Sequence, residues 1–121
     1  MERRPERVAH LVQAELAQLL LRELQDPRLR GVHVSAVRMT PDLRSARVFV
    51  RTLGGAAEAA AALAAFKRAT PFIRARLGRA LQLRYVPELQ FEYDTLLDRA
   101  AELEAALAAA TKPKAKSEEP A

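Results

Sequence analysis

The stretch VHVSAVRMTPDLRSARVFVR, residues 32–51, decides the fold. It holds two runs rich in β-branched residues on either side of Thr40-Pro41-Asp42-Leu43. There proline fixes φ at the second position of a turn and Asp42 can bond nearby backbone. In the second run Ala46, Val48 and Val50 alternate with Arg47, Phe49 and Arg51, the period of a strand with one buried face and one basic face. In the first run Val32 and Val34 share one phase while Val37 and Met39 share the other, which calls for a bulge or for a short strand on either phase. The two runs read as an antiparallel hairpin.

Outward from the hairpin the period changes. From about Pro5 to Gln25 the large apolar residues fall at Val8, Leu11, Val12, Leu16, Leu19, Leu20 and Leu24, the three-and-four spacing of an amphipathic helix. Asp26-Pro27 stops it, because a residue before proline is pushed out of the α region, and Gly31 then turns the chain. After Gly54-Gly55 an alanine-dense segment predicts a second helix from Ala56 to about Ala69, anchored by Leu63 and Phe66. Pro71 suits the first turn of a third helix with Thr70 as its N-cap, running to about Leu83 and burying Ile73, Leu77, Ala80 and Leu81. Pro87 opens a last strand in which Leu89, Phe91 and Tyr93 alternate with Gln90 and Glu92.

The expectation is therefore a two-layer α+β domain over residues 1–95, with helices on one face of a sheet. Residues 96–110 have helical spacing at Leu96, Ala100, Leu103 and Leu107 but a thin apolar stripe, the pattern of a loosely docked helix. Residues 111–121, with Lys112, Lys114 and Lys116 among Pro, Ser and Glu, have nothing to bury and read as a disordered tail.

A chain of 121 residues fits one domain, and its net charge of +5 favours a polyanionic partner such as nucleic acid, an acidic protein or an anionic membrane surface. It has no cysteine, which excludes disulfides, thiolate chemistry and Cys-based zinc sites and accords with a reducing cytoplasm. After Arg3, Arg4 and Arg7, the residues His10, Gln13 and Glu15 interrupt the apolar run an export signal needs, and no stretch approaches the ~20 apolar residues of a membrane span. A soluble, cytoplasmic chain is expected.

No catalytic apparatus is visible. His10 and His33 lie on different elements without metal-ligand spacing, and Asp26, Asp42 and Asp94 sit where turns form, with no Ser or Cys nucleophile beside them. Phosphate-binding glycine motifs are missing, so no cofactor and no small-molecule substrate is expected. The charge, however, is unevenly placed: between Ala59 and Pro87 stand Lys67, Arg68, Arg74, Arg76, Arg79 and Arg84, with no acidic residue. A solvated face of one sign is the bland explanation. The functional one is phosphate binding by these six residues around the helix start at Thr70-Pro71, where free N–H groups would also favour an anion.

These residues also resemble a family. The helix opening Arg7-Val8-Ala9, the break Asp26-Pro27-Arg28-Leu29, the turn Pro41-Asp42-Leu43-Arg44 with Ala46, Val48 and Val50, and Phe72-Ile73-Arg74 followed by Leu77-Gly78 are similar to ribosome-binding factor A. So are Leu83-Arg84-Tyr85-Val86-Pro87-Glu88-Leu89, Phe91 and Tyr93-Asp94, and the likeness runs from about residue 4 to residue 108.

The resemblance implies a K-homology-type RNA-binding fold of type II, in the order α-β-β-α-α-β. It implies a non-enzymatic role in late maturation of the small (30S) ribosomal subunit, with binding to its 16S rRNA, assistance in processing the 5′ end of that RNA and support of growth in the cold. A monomer acting without a membrane is expected. Arg74 and Arg84 fall within matched motifs on the basic face; Lys67, Arg68, Arg76 and Arg79 are added from charge and position. The family has an Ala-x-Gly kink between its second and third helices in place of the Gly-x-x-Gly loop, and here the triplet is Ala69-Thr70-Pro71. Two other classes compete: a DNA-binding protein using its third helix, which the flanking strands do not suit, and a protein-interaction adaptor using the open sheet face.

Overall fold

The computed structural model describes residues 4–111, without the side chains of residues 97–99 and 111. Helix α1 spans Pro5–Arg22, strand β1 His33–Met39, strand β2 Ser45–Arg51, helix α2 Ala59–Leu81, strand β3 Glu88–Tyr93 and helix α3 Leu96–Thr111. Two 3₁₀ turns, Pro27–Leu29 and Gly55–Glu58, join α1 to β1 and β2 to α2. Of the tail expected over residues 111–121, Thr111 ends α3, and residues 112–121 lie outside the described residues.

The hairpin forms as its sequence predicts. β1 pairs antiparallel with β2, Val34 opposite Val50 and Met39 opposite Ala46, and the register slips between Val34 and Ala36. That slip is the bulge, the first of the two outcomes the phases of β1 left open, and it aims the Ser35 hydroxyl at the Phe49 carbonyl and the Asp94 carboxylate. In the turn the Leu43 N–H donates to the Thr40 carbonyl, Asp42 accepts from the Arg44 N–H and the Thr40 hydroxyl, and Leu43 takes a left-handed φ of 62°.

β3 pairs parallel with β2, Ala46 opposite Leu89 and Val48 opposite Phe91, so β2 is central in a β1-β2-β3 sheet. Both helices cover the face that carries Val34, Val37, Ala46, Val48 and Val50, all buried. α1 contributes Val8, Val12, Leu16 and Leu19, and α2 contributes Ala62, Ala65, Phe66, Ile73 and Leu77. Each large side chain removed from water in this way contributes about 1.5–3 kcal/mol before chain entropy is offset. Phe66 of α2 stacks on Phe91 of β3 with centroids 4.5 Å apart, a contact that locks the helix to the edge strand.

Two expectations fail: Ala80, expected in the core, is exposed near the C-terminal end of α2, and the helix break at residue 71 is absent. The second and third helices are a single helix, and Pro71 lies inside it. Thr70 is not an N-cap; its hydroxyl donates to the Phe66 carbonyl one turn back, 2.8 Å away. The physical reason is the phase of the core residues. Ala62, Ala65, Phe66, Ile73 and Leu77 stay on one helical stripe across the proline, and all are buried, so packing holds both halves on the same sheet face. Pro71 itself is on the exposed side, where the Lys67 carbonyl it leaves without a partner can meet water.

The described side chains of α3 are exposed, Leu96, Leu103 and Leu107 among them. No described helix is long and apolar enough to cross a membrane.

Candidate nucleic-acid interface

α2 ends where Gln82 takes a left-handed φ of 52° and the Leu83 N–H returns to the Gly78 carbonyl. With its core stripe turned to the sheet, the helix presents Lys67, Arg68, Pro71, Phe72 and Arg79 to solvent. Among the described residues, no hydrogen bond or ion pair engages the side chain of Lys67, Arg68 or Arg79, so three cations stand ready along one helix. Arg79 in the last turn also sits favourably against the helix dipole. The anion site expected at a helix start near Thr70-Pro71 does not exist, because no helix starts there.

The other three predicted residues are held differently. Arg74 is half-buried, and its guanidinium donates to the Val86 and Pro87 carbonyls at 2.8 and 3.0 Å, clamping the loop into β3 against α2. Arg76 pairs with Glu23 at the end of α1 and lies over the Phe72 ring, 5.6 Å from its centroid. Arg84 is exposed in the loop after α2, with its guanidinium 5.5 Å from the Tyr85 ring. Ala69 and Thr70 are half-buried beside the core.

Below this helix face, the segment after α1 is built by Asp26. Its carboxylate accepts from the Arg28 backbone N–H and pairs with the Arg28 guanidinium, 2.7 Å at the nearest. These bonds to Arg28, with a smaller contribution from Arg68, hold its pKa down at about 2. The far side of the sheet is also charged: Arg47 forms a two-point bridge to Glu92, both at 2.8 Å, and lies over the Phe49 ring. That bridge depresses the Glu92 pKa.

Sequence reasoning missed Phe72. It is 43% exposed in the midst of the basic face. The signal was present in the spacing, since Phe72 is out of phase with Phe66, Ile73 and Leu77. Tyr85, 72% exposed beside Arg84, was passed over in the same way. His10 and His33 are exposed, and no group of three or more metal-ligating side chains occurs among the described residues.

Comparison with known proteins agrees with this architecture. The family model described as ribosome-binding factor A matches residues 4–107. A protein named ribosome-binding factor A from Desulfitobacterium hafniense is 39% identical over 100 residues, covering 83% of this chain and 80% of the relative. The crystal structure of ribosome-binding factor A from Thermus thermophilus superposes with a TM-score of 0.65 at 29% identity, over 74% of this chain and 94% of that one. A homology model of the Thermus thermophilus factor, fitted into the cryo-EM map of a complex of the 30S subunit with ribosome-binding factor A, gives 0.54 at 35% identity, over 73% of this chain and 96% of that one. On this match, which takes in every element from α1 to β3 and most of α3, the chain belongs to the ribosome-binding factor A family.

Proposed function

We propose that this protein binds the small ribosomal subunit and assists its late maturation, including processing of the 5′ end of 16S rRNA, by holding rRNA on the exposed basic face of α2. Family membership supports ribosome binding, and the related Thermus thermophilus factor has been fitted into a map of a 30S complex. The observation that carries the RNA contact is the set Lys67, Arg68 and Arg79, exposed along one helix and engaged by no described hydrogen bond or ion pair. Arg84 extends this face past the helix end. Arg74 and Arg76 add positive potential by position while their guanidinium groups hold the fold together.

The arrangement of α1, a β1-β2 hairpin, α2 and a β3 parallel to β2 supports a K-homology-type domain of type II, with one helix where that type has two. In this proposal the protein acts as a cytoplasmic monomer without cofactor or catalytic step, offering phosphate contacts and no reacting group.

Sedimentation with purified 30S, 50S and 70S particles over a salt series tests the reading. Binding should follow the 30S particle, more strongly when it is immature. If about four phosphates are engaged, log affinity should fall against log salt with a slope of roughly −3. Replacing Lys67, Arg68 and Arg79 together by Glu should abolish binding while the melting transition stays within a few degrees. A flat salt response, or binding that survives nuclease treatment of the particle, would overturn the RNA-contact mechanism in favour of a protein adaptor.

A further inference from the structure

Beside the basic helix face runs a groove of about 280 Å³ between the end of α1, the turn that follows it, and α2. Leu24, Leu29, Ala65, Ala69 and Phe72 give it an apolar lining, and Glu23, Asp26 and Arg68 give it a charged rim. It is distinct from the cleft on the β3 side of α2, where Lys67 and Thr70 face Leu89 and Phe91. Both rim carboxylates are already neutralised, Glu23 by Arg76 and Asp26 by Arg28. The Arg68 side chain has no described hydrogen-bond or ion-pair partner and lines the groove together with Asp26.

We infer that this groove receives an unstacked nucleobase of a single-stranded RNA segment, with Phe72 as the stacking platform and Arg68 and Arg79 on the flanking phosphates. The inference deepens the RNA-binding reading and rests on it.

Three features commit the groove to this occupant. An aromatic ring left 43% exposed on a helix whose other large apolar residues face the sheet has no role in the core. Its orientation is set by Arg76, which lies over the ring and is itself tied to Glu23. And the cations left over after pairing lie one turn before Phe72, at Arg68, and two turns after it, at Arg79, so a strand tracking them would pass across the ring. Stacking on an aromatic side chain tolerates any base, because every base has a π-face, and cationic neighbours supply the backbone contact that stacking alone lacks.

The chain contains no tryptophan, so Phe72→Trp places a single indole in the groove as a reporter. A single-stranded 12-mer of adenosine should quench it, whereas a matched RNA duplex and inorganic polyphosphate, which supply charge without an accessible base, should not. Phe72→Leu, which keeps an apolar side chain and removes the π-face, should weaken 12-mer binding roughly tenfold and leave the salt slope unchanged. Quenching by polyphosphate equal to that by the 12-mer would overturn the inference. So would wild-type affinity of Phe72→Leu for the 12-mer. If the Lys67, Arg68, Arg79 triple variant loses the 12-mer in that case, only the base site is wrong; if it too binds normally, the RNA reading fails with it. Loss of 30S binding by Phe72→Leu with naked RNA binding intact would assign the groove to a protein and equally overturn the inference.

Discussion

Replacing Pro71 by Ala should stabilise the protein. In a helix interior proline is about 3 kcal/mol less favourable than alanine, because it lacks an N–H and its ring meets the carbonyl one turn back. Here that carbonyl is Lys67's, on the exposed side of α2, so water can satisfy it and the penalty is at the low end. Alanine also frees the unfolded chain, which returns about 0.4–1 kcal/mol to the unfolded state. The net expectation is a gain of about 1–2 kcal/mol, seen as a rise in Tm of roughly 5–10 °C for a domain of this size. Urea melts should show a higher midpoint at unchanged slope.

Thr70→Ala is the companion measurement. The Thr70 hydroxyl bonds back to Phe66 and caps nothing, so this variant should fall within about 0.5 kcal/mol of the parent. A Pro71→Ala protein that melts no higher than the parent, together with a loss of about 1 kcal/mol in Thr70→Ala, would mean that two helices meet at residue 71 and that continuity of α2 is wrong.

Arg74→Ala should destabilise the fold by about 1.5–3 kcal/mol in urea titration, since it leaves the Val86 and Pro87 carbonyls without their charged donor. Arg79→Ala, which loses only an exposed charge near the helix end, should change stability by no more than about 0.5 kcal/mol. Gly78→Ala should also destabilise, by about 1 kcal/mol, although alanine favours helix: a Cβ there would lie 2.8 Å from Cγ2 of Val86, and valine has little freedom to yield. Combining it with Val86→Ala should recover that part of the loss. Asp26, with its folded pKa near 2 against an ordinary 3.8, contributes stability that is complete above the unfolded value and disappears as pH falls through about 2. Acid unfolding monitored by circular dichroism should therefore move to higher pH in Arg28→Ala.

Most of the fold is legible in short stretches because its causes are local. The spacing of Val8, Val12, Leu16 and Leu19 gives α1 and its buried stripe, and the conflict of phase between Val34 and Val37 calls for a bulge or a short strand on either phase, of which the structure has the bulge. The chemistry of Thr40, Pro41 and Asp42 makes the turn, and between Lys67 and Arg84 the sequence places six basic residues without an acidic one. Tertiary structure decided what depends on distant partners. β3 lies parallel to β2 because α2 carries the chain back across the sheet before it begins, a direction the strand's own alternation leaves open. Pro71 reads locally as the start of a helix, and the shared packing of Phe66, Ile73 and Leu77 against the sheet outweighs that signal and carries the helix through it. Arg74 and Arg79 look alike in the sequence; the loop bearing Val86 and Pro87 folds back onto one and leaves the other in water, because a guanidinium finds its acceptors by proximity in space.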